Sequence, residues 1–435
     1  MCSWETNVHI ATSVLDKLHA TWPDLELSVC VLNREKAKNH AHRQMDIKLL
    51  SSSLLRRLTY TVYNQGYRAD EAARSEWPKL TQAIAEGGNL RVLSIDNSQD
   101  GTEYYGVKII SDTEDSGKLM RLDITPEIRL PALEEFTLRE NGSWGSPTYL
   151  WDDAHVHLLR DATDWSRLRK LDFGGDRPDA FFSAFTGGMP NLKALRFGAQ
   201  DGSIGPVKQF MASITALESL DIGRAEVAID ALLPTIMGHK DTLRELILRP
   251  TTAGYCQPQY IDLDRLTAII EAFPLLERFG WDAPCKAKVS FLFARLSKLR
   301  QSKQQIDAKH VAMLSRMNLK KLDLFLHVPF QSSDFAPELI QNAVGSIPPP
   351  AFTKEAAKTA AIKLMEKVSQ GQNQPLEWLT IHFTRTGLED RAQPYLMFAE
   401  LQVRRAKTGS GYEVRGRQEW VGVSTLADEL PLMEE

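Results

Sequence analysis

Histidine pairs are the first residues whose spacing could do chemistry. His40 with His42 and His155 with His157 are His-x-His pairs, and alternate residues on a strand can share a metal ion. Neither pair has cysteine or acid partners at ligand spacing, so both read as structural histidines. Cys2, Cys30, Cys256 and Cys285 are widely scattered. They suggest neither a zinc knuckle nor a disulfide framework, and they fit a reducing compartment. No GxxxxGK[ST] phosphate loop, GxGxxG fingerprint, HExxH zinc helix or GxSxG nucleophile elbow occurs. The expectation is a non-enzyme with no catalytic residues, no cofactor and no metal.

A basic cluster is the other candidate. Across residues 284–317, Lys286, Lys288, Arg295, Lys298, Arg300, Lys303, Lys309 and Arg316 stand against one acid, Asp307. Such a run could meet an acidic protein or nucleic acid. The simpler reading is a helical insertion whose Phe291, Phe293, Leu296, Leu299 and Val311 pack inward, since no aromatic-interleaved groove accompanies the charges. The 435 residues are 25% charged with a net charge of −4, which gives no electrostatic reason for nucleic acid or membrane as partner. Met1 to Thr21 carries Glu5, His9, Asp16 and Lys17 where a signal peptide needs an apolar run. The expected location is cytoplasmic or nuclear.

The elements that would position any site come from a repeat. Leu90-Arg-Val-Leu93-Ser-Ile95 recurs as Leu133-Glu-Glu-Phe136-Thr-Leu138, Leu168-Arg-Lys-Leu171-Asp-Phe173 and Leu192-Lys-Ala-Leu195-Arg-Phe197. Five more copies start at Leu217, Leu243, Leu276, Leu319 and Leu376, and Leu55 opens an earlier one. Chance supplies about two in a chain this long. Leu168, Leu192, Leu217 and Leu243 are separated by 24, 25 and 26 residues, within the leucine-rich-repeat period of about 20–29. Wider gaps elsewhere mark insertions.

Pro131, Pro190 and Pro274 each stand two residues before such a leucine, where they stop the preceding helix. Ile204, Val207, Phe210, Met211 and Ile214 form one helical stripe. Leu263, Leu266, Ile269, Ile270 and Phe273 form another at the same offsets. Ile10, Val14, Leu15 and Leu18 predict a first amphipathic helix, with a strand near Leu25–Val31. The fold class expected is an α/β leucine-rich-repeat solenoid, a horseshoe with parallel strands on the concave face and helices on the convex face. Its parts are a helix–strand cap at 1–53, irregular repeats over 54–400 and a hairpin cap with an acidic tail over 401–435.

In each L-x-x-L-x-L unit the residues flanking the last two apolar positions point away from the helices. Among them Arg139, Arg196, Arg249, Arg278, Phe325 and Trp378 are the types that dominate protein interfaces. Phe325 and Trp378 are expected to be exposed there. The partner expected on this face is a protein.

The degenerate units from Leu90 to Ile381 resemble the repeat region of fungal F-box/leucine-rich-repeat-like proteins. The opening His9-Ile-Ala-Thr-Ser-Val-Leu-Asp-Lys-Leu18, the stretch Trp22-Pro-Asp-Leu25-Glu-Leu-Ser28 and the closing hairpin are similar too. The resemblance implies substrate recognition for a ubiquitin ligase. It implies binding to the ligase adaptor only with an F-box upstream, because no Leu-Pro-rich F-box helix set precedes the repeats. The other function class in view is a regulator, inhibiting or activating a partner enzyme such as a GTPase or hydrolase.

Overall fold

A computed structural model describes residues 2–4, 10–31, 45–64, 76–99, 121–140, 151–174, 178–198, 201–223, 225–249, 263–282, 308–329, 354–370, 372, 375–386, 396–406 and 411–421. His40, His42, Cys256, Cys285 and most of the 284–317 insertion lie outside them.

The chain is α/β and divides into two compact units. One comprises Met1–Glu218 with Asp230–His239, the other Ser219–Ile229 with Lys240–Glu435. The first unit holds strands β1 (Cys2–Trp4), β2 (Leu27–Val31), β3 (Leu55–Asn64), β4 (Val92–Gln99), β5 (Glu135–Glu140), β6 (Lys170–Phe173) and β7 (Ala194–Gly198). They pair in parallel, in chain order. Helices follow between them: α1 (Thr12–Thr21), α2 (Ile47–Leu50), α3 (Trp77–Gly87), α4 (Asp153–Ala162), α5 (Pro178–Phe185) and α6 (Ile204–Ala212).

The second unit holds β8 (Ser219–Gly223), β9 (Glu245–Leu248), β10 (Arg278–Asp282), β11 (Lys321–Pro329) and β12 (Trp378–Thr386), all parallel. Strands β13 (Leu396–Arg405) and β14 (Tyr412–Val421) add an antiparallel hairpin. Helix α7 (Ala225–Met237) spans the division between the units, and α8 (Leu263–Ala272), α9 (Ala308–Leu314) and α10 (Lys354–Ser369) belong to the second. Neither run of strands closes into a barrel. Among the described residues no helix is long and apolar enough to cross a membrane.

Strands β3 to β12 each follow from an L-x-x-L-x-L unit. The last two apolar residues alternate with polar ones and turn toward the helices. Leu171, Phe173, Leu195, Phe197, Leu220, Ile222, Leu322 and Leu324 are all buried. The helical stripes close over them. Val207, Phe210 and Met211 of α6 and Leu266 and Ile269 of α8 are buried, while Ile214 and Phe273 are buried just past the helix ends. In the first unit the filling is aromatic: Phe173 meets Phe181 at 4.5 Å, Phe181 stacks on Phe185 at 4.4 Å, and Phe182 meets Phe210 at 4.9 Å. Asparagine joins successive repeats, with Asn89 Nδ2 donating to the Ser53 carbonyl and Asn191 Nδ2 to that of Ser166.

The start of the chain departs from the sequence reading. A three-residue strand, β1, pairs with β2 ahead of the first helix. Within α1 only Leu15 is buried, and Val14 is exposed. The 155/157 pair sits on α4, with His155 buried and His157 exposed. Residues two apart on a helix point in nearly opposite directions, so these two cannot share a metal.

Candidate functional site: the outward-turned strand residues of the second unit

Strand register stacks the outward-turned residues of β8 to β13 into rows. One row runs Ser219, Glu245, Arg278, Lys321, Trp378 and Arg404, and the next runs Asp221, Ile247, Gly280, Asp323, Thr380 and Gln402. The second row lies deep. Asp221 is 9% exposed, Ile247 4% and Asp323 4%.

Buried carboxylates are tolerated only when paired and hydrogen-bonded, and arginines fold over both. Arg249 Nε and Nη2 each donate to Asp221 at 2.7 Å. Arg278 donates to Asp323 through Nε at 2.7 Å and Nη2 at 3.2 Å. These are the bidentate pairings a planar guanidinium favours. Burial works against the charge of each arginine, but the bonds to Asp221 and Asp323 outweigh it and raise both guanidinium pKa values. Burial likewise pushes the Asp323 carboxyl up, yet His382 and Arg278 together hold it below its ordinary value.

An aromatic stack continues the strip. The Arg249 guanidinium lies 5.6 Å from the centre of the Phe325 ring. His382 stacks on that ring at 4.7 Å with planes 12° apart. His382 in turn stands 3.7 Å from both Asp323 and Glu400. Phe325 is therefore packed, 6% exposed, and not the exposed anchor its position suggested. Beside the strip, Arg404 covers Trp378 at 4.8 Å, and Trp378 keeps intermediate exposure.

The other expected residues fall in the first unit. Arg196 reaches its cross-strand neighbour Asp172 at 3.3 Å and stays largely exposed. Arg139 lies on β5, opposite Asp96 of β4 in register, and its side chain is outside the described residues. Of the six, the structure brings Arg249, Arg278 and Phe325 into one network.

Gly280 makes the network compact. A Cβ there would come 2.9 Å from Ile247 Cγ2 and 3.1 Å from Asp323 Cβ. Isoleucine is stiff at χ1, so it cannot swing aside. Gly280→Ala is expected to cost about 1–3 kcal/mol, the usual penalty of overpacking. Chemical denaturation measures it, and an unchanged midpoint would show that the strip yields freely.

Sequence reasoning turns Asp221 and Asp323 outward but does not foresee their burial and pairing, and it passes over a second set of residues. The buried acids share one signal, an Asp between two core positions, as in Leu220-Asp221-Ile222 and Leu322-Asp323-Leu324. The other set is the residue after each unit's first leucine, which alternates in charge along much of the array. In the first unit Arg91 lies between Glu26 and Glu134, and Lys193 meets Glu218 at 3.0 Å. In the second, Glu277 sits between Lys320 at 3.0 Å and Arg244 at 2.9 Å, which together hold its carboxyl below the usual value. Exposed pairs contribute about 0–1 kcal/mol each. Their effect is on neighbour choice, because like charges placed opposite are disfavoured.

The face thus presents arginines about a third exposed, with fixed planes. Among the described residues Arg249 Nε and Nη2 bond Asp221 and no bond is made by the Nη1 edge. Such an edge suits carbonyl or carboxylate oxygens. Compared with known proteins, the sequence matches no family model and no curated protein.

Proposed function

We propose that this protein is a non-enzymatic interaction module that grips a protein partner on the helix-free face of its strands. In its specific form it is a substrate-recognition leucine-rich-repeat scaffold related to the F-box proteins of ubiquitin ligases. The observation that carries the reading is the orientation of Arg249 and Arg278 by the buried Asp221 and Asp323. Side chains fixed before binding lose less entropy when a partner docks. The repeat resemblance supports the ligase form.

Affinity capture from the native cell tests this, comparing the full chain with variants of each unit's face. Arg196→Glu and Trp378→Ala suit the purpose, since one side chain is largely exposed and the other half-buried. Arg249→Glu would set a second carboxylate against Asp221 and disturb the fold. At least one face variant is expected to lower recovery of a specific partner about tenfold, while Lys208→Glu on helix α6 leaves it unchanged. Recovery unaffected by both face variants would overturn the reading. Purified adaptor is a second arm: a stoichiometric complex would locate an adaptor-binding element in this chain, with residues 1–53 tested first. Altered turnover of a captured enzyme would instead favour the regulator class.

A further inference from the structure

The outer row of the second unit carries positive charge that its own chain does not answer. From β10 to β13 the register sets Arg278, Lys321, Trp378 and Arg404 side by side. Four neighbouring strands thus share cations and an indole over about 14 Å, at a strand spacing of ~4.8 Å. Arg278 is already committed, since Asp323 takes its donors and Glu245 stands 3.7 Å away. The other two cations are not. Lys321 is exposed, and the Arg404 guanidinium lies over the Trp378 ring at 4.8 Å. Among the described residues neither Lys321 nor Arg404 forms an ion pair.

A guanidinium resting on an indole keeps its in-plane N–H donors for another partner. Lys321, one strand to the other side of the ring, offers three more donors without a fixed plane. Trp378 between them keeps intermediate exposure, which leaves part of the ring to an apolar contact. The surrounding acids narrow the choice of ligand. Glu245 stands beside Arg278 on β9, Glu400 lies on β13, and exposed Glu413 lies opposite Arg404 on β14. A continuous polyanion such as nucleic acid would run into these carboxylates, whereas separate carboxylates on a peptide can be spaced to avoid them.

Granted the protein-gripping role proposed above, on which this rests, we propose that Lys321, Trp378 and Arg404 bind an acidic segment of the partner. One carboxylate meets the Arg404 donors, another meets the Lys321 ammonium, and an apolar side chain between them packs on the indole. In an extended segment such residues occupy alternate positions, because these turn to one side.

Fluorescence anisotropy on the full chain tests this with a short fluorescein-labelled peptide. Its glutamate, leucine and glutamate stand at alternate positions, with serine between. Binding is expected, and it should weaken about tenfold or more in Lys321→Glu, Arg404→Glu and Trp378→Ala. Added salt should weaken it too, since exposed charges are screened. Lys208→Glu on helix α6 should leave it unchanged. Lys321→Gln and Arg404→Gln remove the cations without adding acids, and they replace any reversal variant whose denaturation midpoint falls. No binding of the acidic peptide would overturn the proposal. So would equal binding of the same peptide with glutamine for glutamate. Tighter binding of a single-stranded oligonucleotide, lost in the same variants, would make the row a phosphate site instead. The underlying reading fails separately, in the capture experiment with Arg196→Glu and Trp378→Ala. A captured partner that is lost with Trp378→Ala but kept with Lys321→Gln and Arg404→Gln would leave that reading standing and overturn this one.

Discussion

Leu220→Asp is expected to destabilise the protein by about 4 kcal/mol or more, the largest loss from any single strand position discussed above. Leu220 is fully buried, at 0% exposed, on the helix side of β8. The substitution removes its apolar contacts and places a carboxylate among the residues that replace them, with no cation to meet it. One residue along, Asp221 turns to the other face. Its outward position alone makes Asp221→Ala look nearly neutral, and the ion pair changes that. Removing the carboxylate leaves Arg249 bent over a surface with nothing to receive its two donors. The expected cost is about 2 kcal/mol, below the range for fully buried pairs because about a third of the Arg249 side chain is exposed. Denaturation of the two variants should rank Leu220→Asp well above Asp221→Ala. Equal losses would contradict the strand register.

That contrast shows how far the sequence reaches. Period-two alternation in L-x-x-L-x-L announces which side chains enter the core, because burial acts on each strand separately. Leu220, Leu246, Phe279 and Leu322 could all be placed this way before any coordinates. The polar face depends on which repeat lies beside which, and on how far a long side chain leans. Arg249 and Asp221 are 28 residues apart and Arg278 and Asp323 are 45 apart. Insertions of unequal length hide such pairs from a fixed-period reading. Phe325 occupies an outward position on β11 and is still buried, since Arg249 reaches across from β9 and His382 stacks from β12. Strand β1 escaped for a different reason: three residues, Cys2-Ser3-Trp4, are too few to show alternation.

Asp323 should be the most costly polar residue to replace in the second unit. It is 4% exposed and serves Arg278 and His382 together. Asp323→Ala leaves Arg278 with Glu245 alone, at 3.7 Å, and is expected to cost about 3 kcal/mol. Asp323→Asn separates charge from shape, since the amide fills the same space and can still accept one bond. Its cost should depend on pH in a definite direction. Burial would raise the Asp323 carboxyl, but the bonds from His382 and Arg278 prevail and keep it below its ordinary 3.8. The folded form therefore holds the ionised carboxylate better than the unfolded chain does. That stabilisation is fully present above about pH 4 and is lost as pH falls through the depressed folded-state value. Near pH 6 the asparagine variant should unfold at lower denaturant than the unmodified chain, and the gap should narrow as the pH is taken below 4. A gap that stays constant down to pH ~3 would mean that Asp323 contributes through packing, with its charge playing no part.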